Sequence, residues 1–423
     1  MRFLRYFLFA LAVAAASFYW VMFWPLRNPR PDPPYGGGSF ALLNARVYIS
    51  PDLPPVDNAT VVVQKGRITQ VGPAVPVPAG IERLPCNQCV VTAGFWNTHV
   101  HFTEPQFDAA RMGIFPSLRV AVTEMLSSRG FTTVVDTGSD PRISISLRRL
   151  IEEDDIHGPL IYTSGLTVFP HNGIPYYLKK TLAGPALWFI PQPQTAQEAV
   201  RTVNSNAGNG ADILKLFTGS YIERGKVLPM DAAVARAAAD EAHRHGQLVF
   251  AHPSDLAGTK VAIEAGVDVL AHAPDSTGGI DDALLKTLVD RHMAMIPTLK
   301  MFSNTVSDAP AYIRPIHALV AKFHQLGGQI LFGTDVGYMT DHSTMDEYTA
   351  LADSGLNAMD ILRSLTVAPA QRFGVSRDKG TVEPGKLADL VVLDEDPARD
   401  VGAFTRVRMT IRNGKINYAS SIR

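Results

Sequence analysis

The stretch Val90-Val91-Thr92-Ala93-Gly94-Phe95-Trp96-Asn97-Thr98-His99-Val100-His101 sets the reading of the whole chain. It is apolar and β-branched for most of its length, so Val90–His99 reads as a buried strand. It ends on two imidazoles two residues apart, and residues i and i+2 of a strand face the same side. His99 and His101 can therefore point together beyond the strand's C-terminal end. Seven similar runs follow: Thr132–Thr137, Leu160–Ser164, Asp212–Phe217, Leu248–His252, Val267–His272, Met293–Thr298 and Gln329–Asp335. Helical patterns such as Asp231–His245 and Asp281–Arg291 alternate with them, which signals a parallel sheet with helical crossovers. Eight such units in roughly 270 residues predict an α/β fold, a (β/α)8 TIM-like barrel. A doubly wound open sheet is the alternative, and the regularity of eight units favours closure.

Polar groups recur at one end of these strands. The fourth carries Lys215 amid apolar neighbours, the fifth ends on His252, the sixth on His272 and the eighth on Asp335. Barrel enzymes place their chemistry at that rim. A single histidine after an apolar run is more often a hydrogen-bonded structural residue than a ligand. His243, His245 and His292 at helix ends, and His157, His317 and His324, fit that description. Six polar groups on five strands do not, since each would need separate burial and satisfaction.

The sequence resembles the amidohydrolase superfamily, in its imidazolonepropionase-related and prolidase-like branch. The residues that carry the likeness are His99-Val100-His101, the Asp212–Leu216 strand, His252, His272 and Gly333-Thr334-Asp335. A later signature fits as well: Thr366-Val367-Ala368-Pro369-Ala370 through Gly374, then the Gly380–Leu390 segment. The resemblance implies two divalent metal ions, with His99, His101 and Asp335 holding one and His252 and His272 the other. Lys215 would bridge them. An ammonium has no lone pair, but a buried neutral amine can take up carbon dioxide to give an anionic carbamate with two oxygens. The alternative for Lys215 is an ion pair with Asp335 or with substrate in a one-metal enzyme. Zinc is the default for an imidazole-rich site. Asp335 would shuttle the proton from water to the leaving amine. One departure is Asn97, where the family usually has an aspartate.

The expected reaction is hydrolysis of an amide C–N bond in a small molecule, a dipeptide or an N-acyl amino acid. A lactam or an ester is the alternative, and an inactive membrane-tethered binding protein the remotest one. The long third loop, Leu166–Pro193, reads as a pocket wall or lid. Its His171 would stabilise the oxyanion or grip substrate. Tyr221, Arg224 and Lys226 in the fourth loop are candidates for binding a substrate carboxylate.

Short apolar runs at Phe40–Ile49, Ala59–Gln64 and Arg67–Val71 are matched near the far end by Ala388–Leu393, Val407–Ile411 and the turn Asn413-Gly414. They predict a small β-sandwich built from both ends of the chain, residues 40–92 and 379–423, around a hydrolase barrel at 93–378. Residues 1–27 hold an uncharged run, Tyr6–Trp24, between Arg2 and Arg5 on one side and Arg27 and Arg30 on the other. As a helix it would span about 28 Å, enough for a membrane anchor, with a cleaved signal peptide as the rival reading. Either sends the rest of the chain to the extracytoplasmic side. Residues 28–39, rich in Pro, Gly and Arg, read as a linker. The only cysteines, Cys86 and Cys89, are read either as a local disulfide or as two small buried residues. A formal net charge of -1 over 423 residues and no basic block exclude an electrostatic footprint for nucleic acid. Self-association is left open.

Overall fold

The computed structural model describes residues 38–113, 115–182, 184–306 and 309–420. The expected anchor and most of the linker lie outside them. Among the described residues no helix is long and apolar enough to cross a membrane.

Eight short parallel strands form the centre. Phe95–Val100, Phe131–Asp136 and Leu160–Thr163 pair in that order. Ile213–Phe217, Leu248–His252, Val269–Leu270, Ala294–Met295 and Gln329–Ile330 pair in that order as a second sheet. Backbone hydrogen bonds cross both seams between them. At one, the Asp212 N–H donates to Thr163 O at 2.7 Å and the Val168 N–H to Lys215 O at 3.0 Å. At the other, the Thr98 N–H donates to Phe332 O at 2.8 Å and the Asp335 N–H to His99 O at 2.9 Å. The result is a TIM-barrel-like α/β arrangement.

The helices start where short polar side chains can satisfy free backbone donors. Asp231, Asp255 and Asp281 cap Ala232–Arg244, Leu256–Ala265 and Asp282–Asp290. The first of these buries Val234, Ala235, Ala238, Ala239 and Ala242, an i, i+4 stripe facing the sheet. Small residues there let the helix approach the strands closely, consistent with alanine's low entropic cost in a helix.

The single strand expected at Val90–His99 is two strands, Val90–Ala93 and Phe95–Val100, in different sheets. Gly94 lies between them. A Cβ there would fall 2.2 Å from Thr132 Oγ1, so only glycine allows the chain to pass. Val90–Ala93 belongs to the terminal sheet, whose order is Lys415–Ala419, Val407–Arg412, Leu390–Leu393, Val90–Ala93, Phe40–Val47, Val56–Gln64, Arg67–Pro73. Strands from both ends of the chain thus hydrogen-bond in one sheet of eight. The cause is Phe40–Val47, which pairs with Glu82–Pro85 through its first half and Val90–Ala93 through its second. Asn44, at φ 58°, marks the irregularity between the halves. Phe40, Val61, Cys89, Leu390 and Ile411 share one buried cluster across that sheet. Cys86 and Cys89 are joined by a disulfide within it.

Gly333, just beyond the last central strand, is a close-approach position. A Cβ would sit 2.3 Å from Ile296 Cγ2 and 2.8 Å from His99 Cβ. Gly333→Ala is expected to cost about 1–3 kcal/mol of stability in denaturant unfolding, since core and backbone must both shift. An unchanged midpoint would show that the strand crossing is looser than these distances.

Candidate metal centre and active-site mouth

The six groups singled out from the sequence converge. His99 and His101 leave the first central strand with ring centroids 5.3 Å apart. The ring of His272, after the sixth strand, lies 4.4 Å from that of His99. The ring of His252, ending the fifth, lies 4.5 Å from that of His272. Asp335 closes the group, its Oδ1 at 3.3 Å from His99 Nε2 and 2.9 Å from His101 Nε2. Asp335 sits at φ 59°, an unusual conformation for a non-glycine residue and the kind held in place at functional sites. The Lys215 side chain is buried, with Nζ 5.7 Å from the centroid of Phe217.

The donor set fits a cation. The Nδ1 atoms of His99, His101 and His252 are buried without a hydrogen-bond partner, and Asp335 Oδ1 and His99 Nε2 meet only members of the group itself. Orphaned buried polar atoms cost about 1–3 kcal/mol each, and a metal ion is the partner that lone pairs of this kind accept. One donor atom from each of His99, His101 and Asp335 lies within 4.8 Å of the others.

Burial keeps the imidazoles of His99, His252 and His272 neutral, which is the metal-binding form. It lowers His99 to about 4 and holds His252 and His272 well below the usual histidine range, with neighbouring Lys215 adding to the effect on each. Burial also brings the Lys215 amine down to about 7, against the opposing pull of Asp335. The Asp335 carboxyl is held well below the carboxylate range by His99 and His101, which outweigh its burial. These directions give a prediction for metal-free protein. The unfolded chain takes up protons on these histidines below about 6.5, whereas in the folded chain His99 resists down to about 4 and His252 and His272 resist as well. Stability is therefore expected to fall as pH drops from 7 to 5, and added divalent metal to oppose the loss. A thermal midpoint independent of pH over that range would mean the imidazoles are not buried and neutral.

Residues beyond the six hold this group in place. The Thr298 hydroxyl is 2.7 Å from His272 Nδ1 and Phe217 stacks on His252 at 4.3 Å, each fixing a ring's orientation. Asn97 donates to Thr334 Oγ1 at 2.8 Å and accepts from the backbone N–H of His99 at 3.2 Å. It thereby ties the first strand to the eighth. Lys300 is buried and donates to the carbonyls of Asp341 and Ser343, pinning the segment that follows Asp335. Asn97 stands out in the sequence; the others have no sequence signature, because each acts through a contact with a distant part of the chain.

The expected substrate contacts are scattered. His171 is exposed and makes no hydrogen bond or ion pair with the six groups. Arg224 is exposed at the turn of the hairpin Gly219–Glu223/Lys226–Pro229, and Lys226 pairs with Glu223 at 3.1 Å. Tyr221 is half-buried, but its hydroxyl donates to Asp275 Oδ2 at 2.9 Å. A phenol has one proton, so that donor is already committed. The third loop is not structureless: it holds the helix Tyr176–Thr181 and a turn of helix at Gly184–Phe189, with Trp188 83% exposed.

The family described as Amidohydrolase family matches residues 90–417. An uncharacterized protein of Mycobacterium tuberculosis is 26% identical over 254 residues, 56% of this chain and 65% of that protein, so the match spans less than two thirds of that relative. The imidazolonepropionase of Thermoplasma acidophilum is 24% identical over 416 residues, covering 87% of this chain and 91% of that enzyme. The crystal structure of a Xaa-Pro dipeptidase with bound methionine superposes with a TM-score of 0.77 at 20% identity, covering 90% of this chain and all of that one.

Proposed function

The chain belongs to the amidohydrolase family, and from that premise we propose that it is a metal-dependent hydrolase cleaving an amide C–N bond in a small molecule, a dipeptide or an N-acyl amino acid. The observation that carries this reading is the set of buried donor atoms on His99, His101, His252 and Asp335 that find no hydrogen-bond partner outside the group, packed against a buried amine near neutrality. We read the two central sheets as one closed eight-stranded barrel, with these groups at the C-terminal mouth where barrel enzymes act.

His99, His101 and Asp335 would hold one divalent cation and His252 and His272 a second, with zinc the natural choice for such ligands. Lys215 would join them as a carbamate: its amine adds to carbon dioxide, forming one N–C bond and releasing a proton. Bound cations would acidify the attacking water and polarise the scissile carbonyl. Asp335, ionised at neutral pH, takes the water's proton as the oxygen adds to the carbonyl carbon. It returns that proton to the nitrogen as the C–N bond breaks. The depressed histidines remain neutral throughout and compete for no proton. A Xaa-Pro dipeptidase and an imidazolonepropionase among the similar proteins support amide and cyclic-amide substrates, in that order. The Cys86–Cys89 disulfide supports an extracytoplasmic placement.

Metal analysis of the purified protein, with a panel of dipeptides, N-acyl amino acids, lactams and esters, tests the reading. About two divalent ions per chain and hydrolysis abolished by chelator are expected. Substoichiometric metal, or turnover indifferent to chelator, would sink it.

A further inference from the structure

Asp275 follows His272 by three residues and lies in the loop after the sixth central strand. Two hydroxyls donate to the same oxygen, Oδ2: Tyr221 at 2.9 Å, from the hairpin after the fourth strand, and Tyr312 at 2.7 Å, from the helix Pro310–Gln325 after the seventh. Three separate loops thus meet on one carboxylate. The carboxylate is not sealed in, since Asp275 is only half-buried.

Its surroundings are aromatic and face the metal centre. Phe302 stands between the two, its ring 6.3 Å from that of His272 and 6.3 Å from that of Tyr312. On another side Tyr177 senses the charges of both Asp275 and Asp335, and its ring packs 5.5 Å from Tyr176 and 6.1 Å from Tyr338. Tyr221 in turn feels Tyr176. A carboxylate set among phenols attracts a cation by charge and by hydrogen bonding.

The same geometry argues against a substrate carboxylate. Tyr221, the phenol expected to receive one, gives its proton to Asp275, and a second carboxylate beside Asp275 would meet like charge in a poorly solvated place. Arg224 and Lys226, the other candidates, are exposed, and Lys226 pairs with Glu223.

We propose that Asp275, framed by Tyr221 and Tyr312, is the subsite that receives an ammonium group of the substrate. This rests on the proposed hydrolase reading and narrows it. A dipeptide with a free amine, or one with a basic side chain, fits; an N-acyl amino acid without a cation does not. Asp275 is a binding residue here, with no part in proton transfer.

Binding separates this claim from the chemistry. Full-length protein is titrated calorimetrically with 2-phenylethylamine, a cation at pH 7, and with the neutral 2-phenylethanol. The amine is expected to bind at least roughly tenfold more tightly, the size of one charge-assisted hydrogen bond. In Asp275→Asn, which keeps an oxygen acceptor for the two phenols, that preference disappears and the thermal midpoint holds. Equal binding of the two probes to wild-type protein, or no detectable binding of the amine, overturns the proposal. So does an amine preference that survives in Asp275→Asn. Cleavage of dipeptides with and without N-acetylation, and with lysine or norleucine, then tells an α-amine from a side-chain amine. Amine preference without cleavage of any dipeptide would leave the subsite standing and sink the proposed reaction, so the two failures are distinguishable.

Discussion

Asp335→Asn is expected to lower turnover by roughly a hundred- to ten-thousandfold while leaving the fold nearly unchanged. Asparagine has the shape of aspartate and keeps an oxygen that can face His101, 2.9 Å away in the parent. What it lacks is the ability to accept the water's proton and give it to the leaving nitrogen. Removing the charge also removes the opposing pull on Lys215 and on the histidines, so the neutral state of those groups should be reinforced. Steady-state rates on the best substrate from the panel, with circular dichroism and metal content alongside, check this. A variant that turns over at near-parental rates with metals retained would take Asp335 out of the proton path.

Lys215→Met should separate function from stability. A lysine held at about 7 in the folded state, against 10.5 unfolded, costs stability as pH falls from 10.5 towards 7, because the unfolded chain takes up a proton that the folded chain refuses. Below about 7 that cost is fully present. Methionine fills similar volume without it, so metal-free Lys215→Met is expected to be more stable than metal-free parent at pH 7, by a few kcal/mol at most. Without an amine no carbamate can form. Metal content should then fall from about two ions per chain towards one, and activity by about a hundredfold or more. A gain in stability together with a loss of metal is the signature of a residue kept for its chemistry. Unchanged metal and rate would assign Lys215 no bridging role.

By itself the sequence determined the alternation of strand and helix and the end of the strands where the polar groups gather. Both are periodic signals: His99 and His101 share a face because a strand repeats every two residues, and the helix Ala232–Arg244 shows its buried stripe in its alanines. Bringing His252, His272 and Asp335 onto the same rim needed only the parallel order of the strands, which fixes where each C-terminal end lies. Other features were decided by the tertiary structure. The break at Gly94 exists because Thr132 leaves no room for a side chain, and the single terminal sheet exists because Phe40–Val47 changes partner at Asn44. Tyr221 looked like a free donor until folding placed Asp275, 54 residues on, against its hydroxyl. Periodicity reports which face a residue occupies. What stands opposite that face comes from another part of the chain, through contacts with no period to read.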